Sequence, residues 1–167
     1  MSEPVLGELL SVLERHEVRY VVIGAQAAVI HGVPLLTEDL DITPSRDAEN
    51  LERLAMALRE LEPVLRTATD PEGVPFPVDA EMLATAETWT LTTRVGDLDL
   101  DFSPAGTQGY EDLHRDALSV DLGNALTVQV ASLADVIRSK EAAGREKDRM
   151  QLPLMRRTLE EICARQE

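Results

Sequence analysis

Two stretches in which aspartate alternates with apolar residues constrain this chain most strongly: DLDIT at 39–43 and DLDLDF at 97–102. Alternation with a period of two is typical of a β-strand that has one face covered and the other face open. Each stretch therefore predicts a strand whose apolar side chains enter a core and whose carboxylates share the opposite face. The covered face of a sheet built from such strands must be buried against another layer of secondary structure.

The other patterns predict helices interspersed with strands. Apolar residues at helical spacing predict helices at 4–16, 25–31, 48–61, 110–118, 133–143 and 146–165. Pro153 is expected to kink or restart the last of these. Strands are predicted at 19–23, 39–43, 88–95, 97–102 and 125–130, with a hairpin around Gly96 and a proline-rich loop at 67–80. The predicted fold class is α/β (α+β), with a small mixed β-sheet, flanking helices and a C-terminal helical segment.

The size of the chain suits one domain, with a core at 1–130 and a helical segment at 131–167 that packs on it. No apolar run approaches the roughly 18 residues of a membrane span. The acidic N-terminus has no basic region before an apolar stretch, so no secretory signal is expected. The single cysteine, Cys163, excludes an internal disulfide and a multi-cysteine metal site. A reducing, cytoplasmic setting is predicted, and any metal ion must be held mainly by carboxylates.

Charge is distributed unevenly along the chain. The formal net charge is −15, which argues against a general nucleic-acid coat and against a membrane-surface protein. Residues 1–130 hold 24 acidic and 8 basic residues, whereas residues 131–167 hold 7 and 8. Both lysines of the chain, Lys140 and Lys147, fall in the second part. This segment is therefore the predicted place for an anion to bind.

The two acidic strands also predict chemistry. Asp39 and Asp41 lie on one strand face, and Asp97, Asp99 and Asp101 lie on another. If the strands are neighbours, three or more carboxylates meet and repel each other unless a cation neutralises them. Oxygen ligands in that arrangement suit one or two hard divalent ions, most naturally Mg²⁺. The alternative reading is an acidic face that is simply solvated.

Three segments carry a resemblance to a known family: YVVIGAQAAVIHGVPLLTEDLDIT at 20–43, LDLDFSPAGTQGYEDL at 98–113 and QVASLADVIRSKEAAGREKD at 129–148. They resemble the nucleotidyltransferase superfamily (DNA polymerase β-like fold), and in particular its minimal, AbiEii-like bacterial branch. In order, they resemble the family's strand–turn–helix with its Asp-x-Asp, the strand of the third carboxylate, and the closing signature. The resemblance covers about residues 5–160, and it implies a sheet of the nucleotidyltransferase type.

The resemblance assigns a role to each matching residue. Asp39 and Asp41 would ligate Mg²⁺ (or Mn²⁺), and Asp99 would be the third carboxylate, with Asp101 as its alternate. The nucleotide-binding residues would be Gly24 and Ala25, which would cradle phosphates, and Lys140 and Lys147, which would meet the triphosphate. The implied reaction is attack by a hydroxyl on the α-phosphorus of an NTP, with release of pyrophosphate. The chain departs from the family at Ala25, where a serine or second glycine is usual, and at Val33, Leu35 and Glu38, where basic residues are frequent.

The leading functional prediction is a metal-dependent nucleotidyltransferase that uses an NTP. Its acceptor is left open among RNA, protein and small molecules, and a toxin–antitoxin or defence role with a cognate partner protein is one possibility that the resemblance implies. The first alternative is a catalytically degenerate, nucleotide- or partner-binding member of the same fold. The departures favour it, whereas the retained Asp39, Asp41 and Asp99 oppose it, because their mutual repulsion without a metal would be a standing cost. The second alternative is a purely structural acidic domain.

Overall fold

The computed structural model describes all 167 residues, and they form seven helices and seven strands. The helices are α1 (Glu3–Arg15), α2 (Gly24–Ile30), α3 (Ala48–Leu61), α4 (Ala80–Leu83), α5 (Tyr110–Arg115), α6 (Leu133–Ala143) and α7 (Glu146–Gln166). The strands are β1 (Tyr20–Ile23), β2 (Asp39–Pro44), β3 (Val64–Leu65), β4 (Thr88–Thr92), β5 (Asp97–Asp101), β6 (Leu118–Asp121) and β7 (Thr127–Val130). No helix combines the length and the apolar character that crossing a membrane requires.

All seven strands belong to one mixed sheet, in the order β3-β4-β5-β2-β1-β7-β6. Strand β2 runs parallel to β5 and antiparallel to β1, while β1 runs parallel to β7. Antiparallel pairing brings the end of β1 beside the start of β2, and parallel pairing brings the start of β5 to the same place. This topology gathers the residue after β1 and the aspartates of both acidic strands at one position on the sheet.

The apolar side chains of the two acidic strands enter the core, as their alternation predicts. Leu40 and Ile42 of β2 and Leu98 of β5 are fully buried, and they belong to one apolar cluster with the buried faces of α1 and α3. Helix α3 follows the predicted bounds, since its buried leucines recur at helical spacing. The mixed sheet with flanking helices confirms the predicted fold class.

Three short elements were missed by the sequence patterns. Strand β3 and helix α4 flank the predicted loop, and each is too short to show a periodicity. The predicted helix at 110–118 ends at Arg115, and Leu118 begins β6 instead. Strand β6 pairs with β7 across a turn in which Gly123 and Asn124 have positive φ. Because β6 is largely exposed, it has no apolar alternation that would distinguish it from the end of a helix.

Helix α7 continues through Pro153, so this residue does not restart the helix, and a kink at this position stays a prediction. Leu152 and Met155 lie on either side of the proline and are buried, and α7 packs along α6. Tertiary packing therefore holds the helix together where its local sequence opposes it.

We expect Pro153→Ala to raise the free energy of unfolding by about 1–3 kcal/mol, because alanine restores the N–H that proline lacks and has a far better helix propensity. Pro153 is exposed, so the substitution leaves no cavity. Chemical denaturation of both proteins measures the difference. Arg157→Ala, at another exposed position of α7, is the control and should change little. A Pro153→Ala protein of unchanged or lower stability would contradict the expectation.

Candidate active site

A cleft of about 410 Å³ opens on the acidic face of the sheet. Its floor is the region where β2, β4 and β5 lie side by side, and its opposite wall is the corner between α6 and α7. The polar residues that line it are Thr37, Asp39, Asp41, Thr88, Thr90, Asp99, Asp101, Asp135, Ser139, Lys140, Arg145 and Lys147. The volume lies in the range of small-molecule and cofactor sites.

The sheet register brings the predicted carboxylates together. Asp39 pairs with Asp97 across β2 and β5, and Asp41 pairs with Asp99 one step along. These strands are neighbours, so their carboxylates gather on one face of the sheet, the face that borders the cleft. We call this group of five the aspartate row: Asp39, Asp41, Asp97, Asp99 and Asp101. Carboxylates this close together repel each other, so the electrostatics of the cleft depend on which cations offset their negative charge.

Gly24 lies directly against this row. Its φ is +66°, and a Cβ built on it would lie 2.9 Å from Oδ2 of Asp41. Only a residue without a side chain allows the backbone to approach the carboxylate so closely. Gly24 and Ala25 both line the cleft, at the start of α2.

Asp41 is the most perturbed carboxyl group of the row. Of the five aspartates on β2 and β5, it alone has neither a hydrogen bond nor an ion pair. Burial raises its pKa most, the nearby charges of Asp99 and Asp39 raise it further, and Lys147 and Lys140 oppose the rise, so that the pKa is about 6. A buried carboxylate without a partner is the group in this cleft that most needs a cation.

Asp99 has a partner that the sequence patterns did not indicate. The Arg66 guanidinium donates from Nη2 to both carboxylate oxygens of Asp99, at 2.9 and 3.2 Å. Burial raises the pKa of Asp99, although Arg66 opposes the rise. Arg66 follows β3 at the edge of the sheet, and nothing in its local sequence places it near residues 33 positions away.

The opposite wall of the cleft carries positive charge. Lys140, predicted to meet the triphosphate, lines the cleft but is buried, and its Nζ donates to Oδ1 of the fully buried Asp148 at 3.1 Å. Arg145 also donates to Asp148, from Nε at 2.8 Å, and it lines the cleft with Lys147. Burial alone would raise the pKa of Asp148, but hydrogen bonds from Arg145 and Lys140 outweigh it and hold the pKa below its usual range. Asp148 thus fixes two of the three cations that face the carboxylates.

Comparison with protein-family models gives no match, and comparison with curated protein sequences gives none either. Solved structures do match. The lincosamide antibiotic adenylyltransferase LnuA, solved with lincomycin bound, has a TM-score of 0.62 at 14% identity, over 93% of this chain and 97% of that chain. TM1012 from Thermotoga maritima, which is classed as a nucleotidyltransferase, has a TM-score of 0.57 at 19% identity, over 96% of each chain. The antibiotic-resistance factor ANT(2'')-Ia has a TM-score of 0.58 at 13% identity, over 93% of this chain and 83% of that chain.

The chain has the nucleotidyltransferase fold. The matches confirm the resemblance to that superfamily at the level of the fold, and the AbiEii-like branch stays a prediction. The carboxylates of the cleft are oxygen donors of the kind that hard divalent metal ions bind. Asp39 and Asp41 suit a hard cation, because they are adjacent oxygen donors and Asp41 has no other partner. No group of three acidic, histidine or cysteine side chains is placed to hold one ion together, and Asp99 is engaged by Arg66.

The raised pKa of Asp41 makes stability depend on pH. Folded Asp41 keeps its proton up to about pH 6, whereas the unfolded aspartate loses it near 3.8. The folded state therefore binds more protons between these values, and the cost of ionising Asp41 grows through this window and is complete above it. We expect Asp41→Asn to raise the free energy of unfolding in metal-free buffer at neutral pH by about 3 kcal/mol, and to change it little below about pH 4.

Denaturation across this pH range measures the effect of Asp41→Asn. Asp116→Asn, at an exposed residue outside the cleft, removes the same charge and is the matched control. Equal effects of the two substitutions at neutral pH would show that Asp41 is not specially destabilised.

The buried pair of Lys140 and Asp148 gives a further prediction. Asp148→Asn leaves the Lys140 ammonium buried without a counter-charge, and loss of one partner of a buried pair costs about 3–5 kcal/mol. Urea denaturation should show this loss of stability. Glu141→Gln is the control, because Glu141 pairs with Arg156 at the surface and such pairs contribute at most about 1 kcal/mol. Equal losses in the two variants would contradict a dominant role for the buried pair.

Proposed function

We propose that this protein is a metal-dependent nucleotidyltransferase that moves a nucleoside monophosphate from an NTP to a hydroxyl group of an acceptor. The observation that carries the proposal is the opposition of charge across the cleft: an aspartate row containing the unpartnered Asp41 faces Lys140, Arg145 and Lys147. A nucleoside triphosphate with its divalent cation matches that pattern, since the cation suits the carboxylates and the phosphates suit the basic wall.

In this proposal, each group of residues in the cleft has its own role in the reaction. Asp39 and Asp41 would hold Mg²⁺ or Mn²⁺, which when bound polarises phosphoryl oxygens and offsets charge that develops on them. Lys140, Arg145 and Lys147 would bind the triphosphate, and Gly24 and Ala25 would border its path at the start of α2. Asp99, or Asp101 as the alternate, would lie at the acceptor hydroxyl on the floor of the cleft. Positioning and electrostatics supply most of the catalysis in such transfers.

A small-molecule acceptor is the form of the proposal that the cleft favours. The net charge of −15 and the aspartate row oppose a polyanionic acceptor such as RNA. Among the matching structures, one is an antibiotic adenylyltransferase with lincomycin bound, and another is an antibiotic-resistance factor. An RNA or protein acceptor, a role in a toxin–antitoxin or defence pair, and a cytoplasmic location remain predictions of the sequence.

Transfer of α-labelled nucleotide tests the proposal. Purified protein is incubated with each NTP, Mg²⁺ or Mn²⁺, and in turn a panel of hydroxyl-bearing small molecules that includes lincomycin, total RNA, and cell protein. We expect label on an acceptor with wild type and with Asp116→Asn, and at least a hundredfold less with Asp41→Asn, since loss of a group that stabilises the transition state commonly costs that much. Transfer that is unchanged in Asp41→Asn would contradict the assigned site.

The second candidate function is nucleotide binding without transfer, and the engagement of Asp99 by Arg66 favours it. Thermal denaturation distinguishes the two functions when it is combined with the label assay. Mg²⁺ with a non-hydrolysable NTP should stabilise wild type by about 2.7 kcal/mol at a hundredfold excess over the Kd, and should not stabilise Asp41→Asn. Stabilisation without label on any acceptor identifies the binder, and the absence of both effects excludes both functions.

A further inference from the structure

Arg66 is fixed in place by the edge of the sheet. Its backbone N–H donates to the carbonyl of Thr90 at 2.9 Å, and Nη1 donates to the carbonyl of Leu91 at 3.0 Å. The side chain therefore lies across β4, on the face that carries the aspartate row. Because two hydrogen bonds to the β4 backbone hold it, its position does not depend on the carboxylates alone.

The guanidinium spans the beginning of that row. Nη2 binds both oxygens of Asp99, and Nη1 lies 3.0 Å from Oδ2 of Asp97. Oδ2 of Asp39 lies 3.9 Å from Nη2, at the limit of an ion pair. One planar cation thus serves three carboxylates, and two of them on β5 are within direct hydrogen-bond distance.

Arg66 and Asp41 mark two separate parts of the same row. Asp41, beside Asp99 in the register, forms no ion pair with the guanidinium or with any other basic group. A guanidinium is effectively always protonated in proteins, so Arg66 keeps a permanent positive charge beside Asp99. Arg66 therefore neutralises one end of the row, whereas the carboxylate of Asp41 has no cation to neutralise it.

We propose that Arg66 takes the place of a second metal ion, so that the cleft binds one divalent cation, through Asp39 and Asp41, while Arg66 neutralises Asp97 and Asp99. The inference rests on the proposed function and narrows it to a site with one ion per chain. Asp99 then acts as a carboxylate of fixed orientation on the floor of the cleft, not as a metal ligand.

Counting bound Mn²⁺ tests the inference without any need for turnover. Electron paramagnetic resonance and calorimetric titrations are made with wild type, Arg66→Gln and Arg66→Lys, each with and without a non-hydrolysable NTP. We expect one Mn²⁺ per chain in wild type. Arg66→Gln frees Asp97 and Asp99, and we expect it to bind a second Mn²⁺ at least about tenfold more tightly than wild type does, a difference of about 1.4 kcal/mol. Arg66→Lys keeps the charge and should stay at one ion.

Arg53→Gln is the matched control, because Arg53 is a half-buried residue of α3 and its carboxylate partner is Glu49. Arg53→Gln should bind the same number of Mn²⁺ ions as wild type. This result would show that the effect of Arg66→Gln is specific to Arg66 and does not come from the loss of any one positive charge. If Arg66→Gln does not fold, the wild-type count and the Arg66→Lys count decide the matter.

Two Mn²⁺ ions in wild type would overturn the inference, as would a single ion in both wild type and Arg66→Gln. Either result leaves the proposed function standing, because the metal still binds. Failure of the proposed function has another signature: no Mn²⁺ binds to wild type, with or without nucleotide, and Asp41→Asn behaves identically. That result would overturn the inference as well.

Discussion

Repulsion among aspartates on one face of the sheet is the constraint around which this protein is arranged. The register of β2 and β5 brings two pairs of carboxylates opposite each other, and a fifth lies one step further along. The apolar residues between them build the core, so neither strand can turn its acids elsewhere without losing that burial. Basic side chains on two sides of the cleft offset this negative charge. Arg66 lies at one edge, and Lys140, Arg145 and Lys147 lie on the opposite wall.

The two groups of basic side chains interact with the aspartates to different degrees. Arg66 makes direct hydrogen bonds, and this pairing fixes both partners. The cations of the opposite wall reach Asp41 only through space, and they lower its pKa without cancelling the effect of burial. The protein therefore keeps one carboxylate uncompensated, at a cost in stability, in the cleft that the basic wall lines. Such strain at a site is typical of binding and catalysis.

Much of this arrangement could be predicted from local sequence. Period-two alternation identified β2 and β5, helical spacing identified α1, α3 and α6, and the charge difference along the chain indicated the segment that carries the basic wall. The adjacency of β2 and β5 could only be stated as a condition, because strand order depends on contacts between residues far apart in the chain. Arg66 and β6 could not be predicted, since an isolated arginine and an exposed strand have no periodic signal. Nor could the burial of Lys140 against Asp148, which depends on how α7 packs on α6.

The corner between α6 and α7 holds two of its basic side chains in place. Gly144 ends α6 in a left-handed conformation, and Asp148 then holds Lys140 of one helix and Arg145 at the start of the next. Because one buried carboxylate holds groups from both helices, the positions of Lys140 and Arg145 are set by how α7 packs on α6. An anion bound at the basic wall would therefore meet side chains that are already ordered, and its binding would cost little side-chain entropy there.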